Sequence, residues 1–210
     1  MRVIILEGIT GSGKTTLLRM LARLIAERWR GPVWLATEHV TERVLEPLAQ
    51  ATPARARNQL RQHLMHLKRL QAWDAEAPPG DCTETLAVLE RFHLSAVLHI
   101  TGMTARDFSR TENALPVFHP LLVWCELTEA EVLERSVRLT SQMRGERWNQ
   151  YLRTLGANET EWFRHFTSEQ QRLAEWFERS SLRKCRIHVE DATVAMRAAE
   201  LFDTMIQPTL

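Results

Sequence analysis

The eight residues Gly8-Ile9-Thr10-Gly11-Ser12-Gly13-Lys14-Thr15 match G-x-x-x-x-G-K-[ST] in full. The chemistry served by that pattern is the holding of a polyphosphate. Its glycines let successive backbone N–H groups turn inward around phosphate oxygens. The helix that follows adds the partial positive charge of its N-terminus. Lys14 reaches the β- and γ-phosphates, and the Thr15 hydroxyl can ligate Mg²⁺. The nucleotide-binding set is therefore Gly8, Gly11, Ser12, Gly13, Lys14, Thr15 and Thr16, with ATP and Mg²⁺ as cofactors. A glycine turn that merely caps a helix is the plainer alternative, and it does not require the whole motif in this setting.

Such a loop works only between a strand and a helix. Arg2-Val3-Ile4-Ile5-Leu6 is an apolar, β-branched run that reads as a buried strand, and residues 17–29 carry apolar side chains at helical spacing. Val33-Trp34-Leu35-Ala36 follows the breaker Gly31-Pro32 as a second strand. A helix is expected over 55–73, with Leu60, Leu64, Leu67 and Leu70 on one face, and a loop over 74–81 around Pro78-Pro79-Gly80. Strands at 86–89, 121–125 and 185–189 alternate with helices at 129–139, 159–179 and 194–205. That alternation predicts an α/β fold: the three-layer sandwich of P-loop NTPases, a five-stranded parallel sheet with helices on both faces, as one domain over residues 1–210. Ligands of such sheets lie beyond the carboxyl ends of the strands. The residues to inspect there are Glu38, Glu90, Arg91 and Asp191.

The 210 residues carry a net charge of +1, so no global basic field calls for nucleic acid as a partner. No apolar run reaches the length of a membrane span. The first strand begins at once, which leaves no room for a signal peptide. Cys82, Cys125 and Cys185 have neither zinc spacing nor the pattern of a disulfide framework, so they read as small buried apolar residues in a reducing cytoplasm. Guanine-reading Asn-Lys-x-Asp is absent, and so is the Leu-Ser-Gly-Gly of ABC-type ATPases. The third strand ends Leu89-Glu90-Arg91, where motor and AAA-type ATPases usually carry two acids.

Glu90-Arg91-Phe92-x-x-Ser95 resembles the Asp-Arg-Tyr-x-x-Ser stretch of thymidylate kinases and the Glu-Arg-Ser-x-x-Ser-Ala stretch of deoxynucleoside kinases. Glu7 through Thr16 resembles the thymidylate kinase loop, with Thr10 where Asp is common. Leu64-Met65-His66-Leu67-Lys68-Arg69 is similar to that group's acceptor helix, and Thr37-Glu38-His39-Val40 to its Glu-Pro-Val or Arg-Glu-Pro, with the Pro and the Arg replaced. The segment from Glu134 to Arg147, with Arg135, Arg138 and Arg144 between, resembles the lid, about residues 135–150. The likeness spans residues 1 to about 193. It implies a kinase that moves the γ-phosphoryl of Mg-ATP to a nucleoside monophosphate or a nucleoside hydroxyl, and it alone suggests a homodimer.

On that resemblance the catalytic residues are Lys14, Glu38, Arg91, Arg138 and Arg144. The acceptor meets Glu38, Arg69, Glu90 and Arg91, and the metal meets Thr15 and Glu90. Each has a plainer alternative. Glu38 is either the base on an acceptor hydroxyl or a solvated, helix-capping Glu. Glu90 and Arg91 either hold Mg²⁺ and phosphate or pair with each other. Arg69 either touches the acceptor or belongs to a basic helix surface. The lid arginines either neutralise the transferring phosphoryl or form a charged helix face, with Arg135 and Arg138 sharing a face by their three-residue spacing. Ser95 reads as the cap of the next helix. His99 stands near the position of a base-reading Gln, and Trp73 and Phe92 are candidates for lining the acceptor pocket. Two other functions fit the same loop: an ATPase that acts as a regulatory switch on a macromolecule, and a kinase for a non-nucleoside alcohol.

Overall fold

A computed structural model describes residues 1–37, 52–76 and 84–206. Five strands, β1 (Arg2–Glu7), β2 (Val33–Ala36), β3 (Leu86–Glu90), β4 (Pro120–Glu126) and β5 (Arg183–His188), form one sheet in the order β2-β3-β1-β4-β5. Every pairing is parallel. The chain is thus a three-layer α/β fold.

Strand periodicity explains the layers. Successive side chains point to opposite faces, and β1 is apolar on both. Val3 and Ile5 join Ala87, Leu89, Leu122 and Trp124 in one core, whereas Ile4 and Leu6 join Leu86, Val88, Leu121 and Val123 in the other. The second core is closed by α1 (Lys14–Arg28), through Leu17, Leu21 and Ile25, and by the final helix, through Ala198, Leu201 and Phe202. The first is closed by α2 (Pro53–Glu76), through Leu60 and Leu67 with Leu64 and Leu70 at its margin. The leucine stripe therefore lies where its spacing put it.

Among the described residues the other helices are α3 (His93–His99), α4 (Ala105–Glu112), α5 (residues 129–143), α6 (Gly145–Leu155), α7 (Glu159–Arg179) and α8 (Val194–Ile206), with a 3-10 turn at Pro116–Phe118. The first two are too short to show a helical period. Only the Thr104-x-x-Asp107 capping box marks α4, with both of its reciprocal bonds formed. Asp74–Glu76, expected in a loop, continue α2. Asp74 accepts the Thr85 N–H at 2.9 Å and the Thr85 hydroxyl, which ties the helix end to the start of β3. Residues 77–81 of that expected loop lie outside the described residues. No described helix is long and apolar enough to cross a membrane.

α5 is not a uniform α-helix. One α-turn, Glu129–Glu131, leads into a π-helical stretch, Val132–Leu139, and a last α-turn, Thr140–Met143. The Thr140 hydroxyl donates to the Ser136 carbonyl at 2.5 Å, the acceptor that an α-turn would offer to the Thr140 N–H. Widened turns inside α-helices are frequent at functional sites.

Candidate active site

The register of the sheet assembles the site. Leu6 of β1 lies opposite Glu90 of β3, so β3 ends beside the start of the phosphate loop. There the Thr15 hydroxyl, in the first turn of α1, donates to Glu90 Oε1 at 2.6 Å. Glu90 is 1% exposed. A hydroxyl and a buried carboxylate in contact beside a phosphate loop are the hard oxygen donors that Mg²⁺ takes alongside substrate phosphates. The donor set fits that ion. Among the described residues there is no cluster of three or more His, Cys, Asp and Glu able to cage a metal.

Lys14 is buried, with its Nζ donating to the Ile9 carbonyl at 2.8 Å and to Ser12 Oγ at 3.3 Å. The ammonium therefore lies folded across its own loop. Two glycines are required by both conformation and space. Gly11 has φ +81, and a Cβ there would stand 2.7 Å from the Arg135 carbonyl oxygen. Gly13 has φ +86, and its Cβ would meet Val189 at 2.7 Å.

α5 thus rests on the phosphate loop. The Ser136 hydroxyl donates to the Thr10 carbonyl at 2.6 Å, and Arg135 donates to the Val189 carbonyl at 2.6 Å and to Glu131 at 3.3 Å. Arg138 points elsewhere, to Glu159 at 3.3 Å and Glu134 at 3.6 Å. The shared face expected for Arg135 and Arg138 is not found, because bonds closing i→i+5 widen the turn and a three-residue step no longer returns to one side. Arg144 lies over the Trp148 ring, 4.6 Å from its centroid. Trp148 in turn donates to Thr140 Oγ1 at 3.0 Å.

Arg91 is 4% exposed and holds a left-handed backbone at φ 58. Its N–H donates to the Leu6 carbonyl at 2.9 Å, and its guanidinium reaches Thr10 Oγ1 at 3.4 Å and the His99 ring at 3.0 Å. Structure therefore brings Lys14, Thr15, Glu90 and Arg91 to one loop. Arg69 is exposed on α2, and Trp73 is 62% exposed there. Phe92 is buried between the His63 and His93 rings. Glu38 lies outside the described residues, as does Cys82. Burial pushes the Cys125 thiol up to about 12 and that of Cys185 to about 11, consistent with packing rather than chemistry.

Two site residues had no reading of their own in the sequence. Glu7 ends β1 fully buried, and its carboxylate receives the Phe92 N–H at 2.9 Å, the Leu94 N–H at 3.1 Å, the Ser95 N–H at 3.4 Å and the Ser95 hydroxyl at 2.5 Å. The expected cap, Ser95, sits inside α3, and the cap is a carboxylate from a different strand. Ser136 is the other, a buried hydroxyl on a helix that spacing alone presents as a charged surface.

The sequence matches no protein-family model and no curated protein. Its fold is similar to the crystal structure of the YorR protein from Bacillus subtilis in complex with phosphorylated GDP, with a TM-score of 0.60 and 13% identity over 96% of this chain and 94% of that one. What the two share at that identity is the fold, and YorR was solved with a nucleotide in it.

Proposed function

We propose that this protein is an ATP-dependent phosphotransferase of the nucleotide and nucleoside kinase type, moving the γ-phosphoryl of Mg-ATP to a nucleoside monophosphate or to a nucleoside hydroxyl. The observation that carries this reading is the 2.6 Å contact between Thr15 and the buried Glu90, with Lys14 on the same loop and Arg91 reaching it from the end of β3. A protein of the same fold, YorR, is seen with phosphorylated GDP, which supports a nucleotide as ligand.

In this reading the loop from Gly8 to Thr16 cradles the phosphates of ATP, and Lys14 leaves the Ile9 carbonyl to neutralise the β- and γ-oxygens. Thr15 and Glu90 would hold Mg²⁺, which would offset the charge of the phosphates. Arg91 receives the charge that develops on the transferring phosphoryl or clamps an acceptor phosphate. Positioning and electrostatics supply most of the rate. Where the acceptor is a hydroxyl, Glu38 takes its proton; where it is a monophosphate, Arg69 and Arg91 bind its charge. The segment of about 135–150, with Arg138 on α5 and Arg144 at the junction of α5 and α6, forms the lid, and Arg135 and Ser136 anchor it to the loop.

The test is transfer of labelled γ-phosphoryl from Mg-ATP to two acceptor sets, nucleoside monophosphates and free nucleosides, with Lys14→Ala as blank. Transfer to either set, absent in the blank, supports the reading. ATP binding without transfer to any member would refute these acceptors and favour a switch protein or a kinase for another alcohol.

A further inference from the structure

His99 Nε2 faces two partners that make opposite demands. It lies 3.0 Å from Arg91 Nη1 and 3.3 Å from Glu169 Oε1. Guanidinium only donates and an ionised carboxylate only accepts. A single ring nitrogen is either bare or protonated, so it serves Arg91 in one state and Glu169 in the other. The other guanidinium nitrogen of Arg91 is 3.4 Å from Thr10 Oγ1, so whatever holds this guanidinium also sets its place beside the phosphate loop.

We infer that His99 is a positioning residue for Arg91, and that it holds the guanidinium at the phosphate loop only while Nε2 is unprotonated. In that state the ring carries its proton on Nδ1 and accepts from Arg91. When Nε2 takes a proton from solvent, one N–H bond forms and no other covalent bond changes. The hydrogen bond from Arg91 is lost, the ring donates to Glu169, and the two adjacent cations repel. Glu169 is 6% exposed on α7 and Arg91 4% exposed at the end of β3, whereas the His99 side chain keeps 19% exposure, so solvent reaches the ring between two buried partners.

Arg91 and Glu169 are charged groups in contact with His99, and α7 adds His165 and Arg172 near Glu169 in the chain. His165 lies 3.8 Å from the other oxygen of Glu169, and Arg172 donates to the Leu98 carbonyl at 3.1 Å. Arg91 opposes the imidazolium and Glu169 favours it. Their competition makes the ring a two-state element rather than a fixed strut. The consequence for catalysis rests on the proposed role of Arg91 in phosphoryl transfer; the exchange of partners does not.

The experiment is a pH titration of the unliganded protein by nitrogen NMR. The His99 ring is assigned by its loss in His99→Gln, and the Arg91 side-chain N–H signal by its loss in Arg91→Lys. The expected result is a bare Nε2 at high pH and an Arg91 signal that moves with the same midpoint as the ring. Glu169→Gln is expected to lower that midpoint by about one unit, the size of a lost neighbouring charge. In His99→Gln the amide offers an oxygen to Arg91 and an N–H to Glu169 at once, so the Arg91 signal should stop responding to pH. A bare Nδ1 at high pH, or an Arg91 signal that stays flat while His99 titrates, overturns the inference. With a working acceptor, turnover at saturating substrate should fall with the same midpoint in the wild type and not in His99→Gln. Co-titration with a flat rate would count against Arg91 in the transfer while leaving the pairing intact.

Discussion

Glu7→Gln isolates the charge that fastens α3 to the sheet. Three backbone N–H groups converge on one carboxylate oxygen, at 2.9, 3.1 and 3.4 Å, and the Ser95 hydroxyl takes the other. Glutamine keeps an oxygen for the three amides, and Ser95 can turn its hydroxyl to accept from the new NH₂ group. What is lost is the negative charge at a helix N-terminus inside the protein. Helix-end charges in partly buried settings are worth up to about 2 kcal/mol, and bonds to charged groups exceed neutral ones by a similar amount. A loss of about 1–2 kcal/mol follows. For a chain of this length, ~1 kcal/mol lowers Tm by roughly 2–4 °C, so Glu7→Gln should melt about 2–8 °C early. Glu7→Ala strands the three donors as well, each costing about 1–3 kcal/mol, and should fall clearly further. Paired thermal melts with urea titrations read both. A glutamine variant within a degree of wild type, or an alanine variant no worse than glutamine, would refute the claim that this carboxylate caps α3.

Gly11→Ala should be more damaging than Gly145→Ala. Both positions have positive φ, at +81 and +74, and share the strain of about 1–2 kcal/mol. Only Gly11 would press a Cβ to 2.7 Å from the Arg135 carbonyl oxygen, while nothing lies within 4 Å of the other. Melting temperatures should separate the pair, and ATP binding should suffer only in Gly11→Ala. Ser136→Ala removes the bond to the Thr10 carbonyl and should cost about 1 kcal/mol by urea denaturation. Glu112 gives a pH signature. Burial opposes its charge, but His93 at 2.6 Å, Ser180 at 2.8 Å and the Ser181 N–H outweigh burial and hold its carboxyl below the usual range. A depressed folded value means that its contribution is complete above the unfolded value of about 4.3 and fades as pH falls through the lower folded value. The urea midpoint of wild type should therefore drop more steeply between pH 5 and 3 than that of Glu112→Gln, and equal slopes would contradict this.

How much was legible in the sequence depended on the range of the interaction. The loop and its flanking strand and helix were readable because the whole requirement is local: glycines, Lys14 and Thr15 in sequence between a β-branched run and an amphipathic one. The leucines of α2 and the apolar runs of β3 and β4 were readable for the same reason. Pairings that join distant segments left no trace. Glu7 reaches α3 across more than eighty residues, and Ser136 reaches Thr10 across more than a hundred. The π-helical widening of α5 also had no periodic signal; the Thr140 hydroxyl bonded to the Ser136 carbonyl marks its C-terminal end. Within that stretch Arg135 and Arg138 meet different neighbours, which spacing rules for an α-helix do not anticipate.

The most direct measurement is calorimetric titration of ATP, with Mg²⁺ and with chelator, into wild type, Lys14→Ala and Thr15→Ala. Wild type should bind ATP, and more tightly with Mg²⁺. Lys14→Ala should lose at least about tenfold in affinity, some 1.4 kcal/mol, while Thr15→Ala should bind in chelator like wild type but lose the gain from Mg²⁺. A wild type that takes up no nucleotide, or a Lys14→Ala variant of unchanged affinity, would contradict a nucleotide site at this loop.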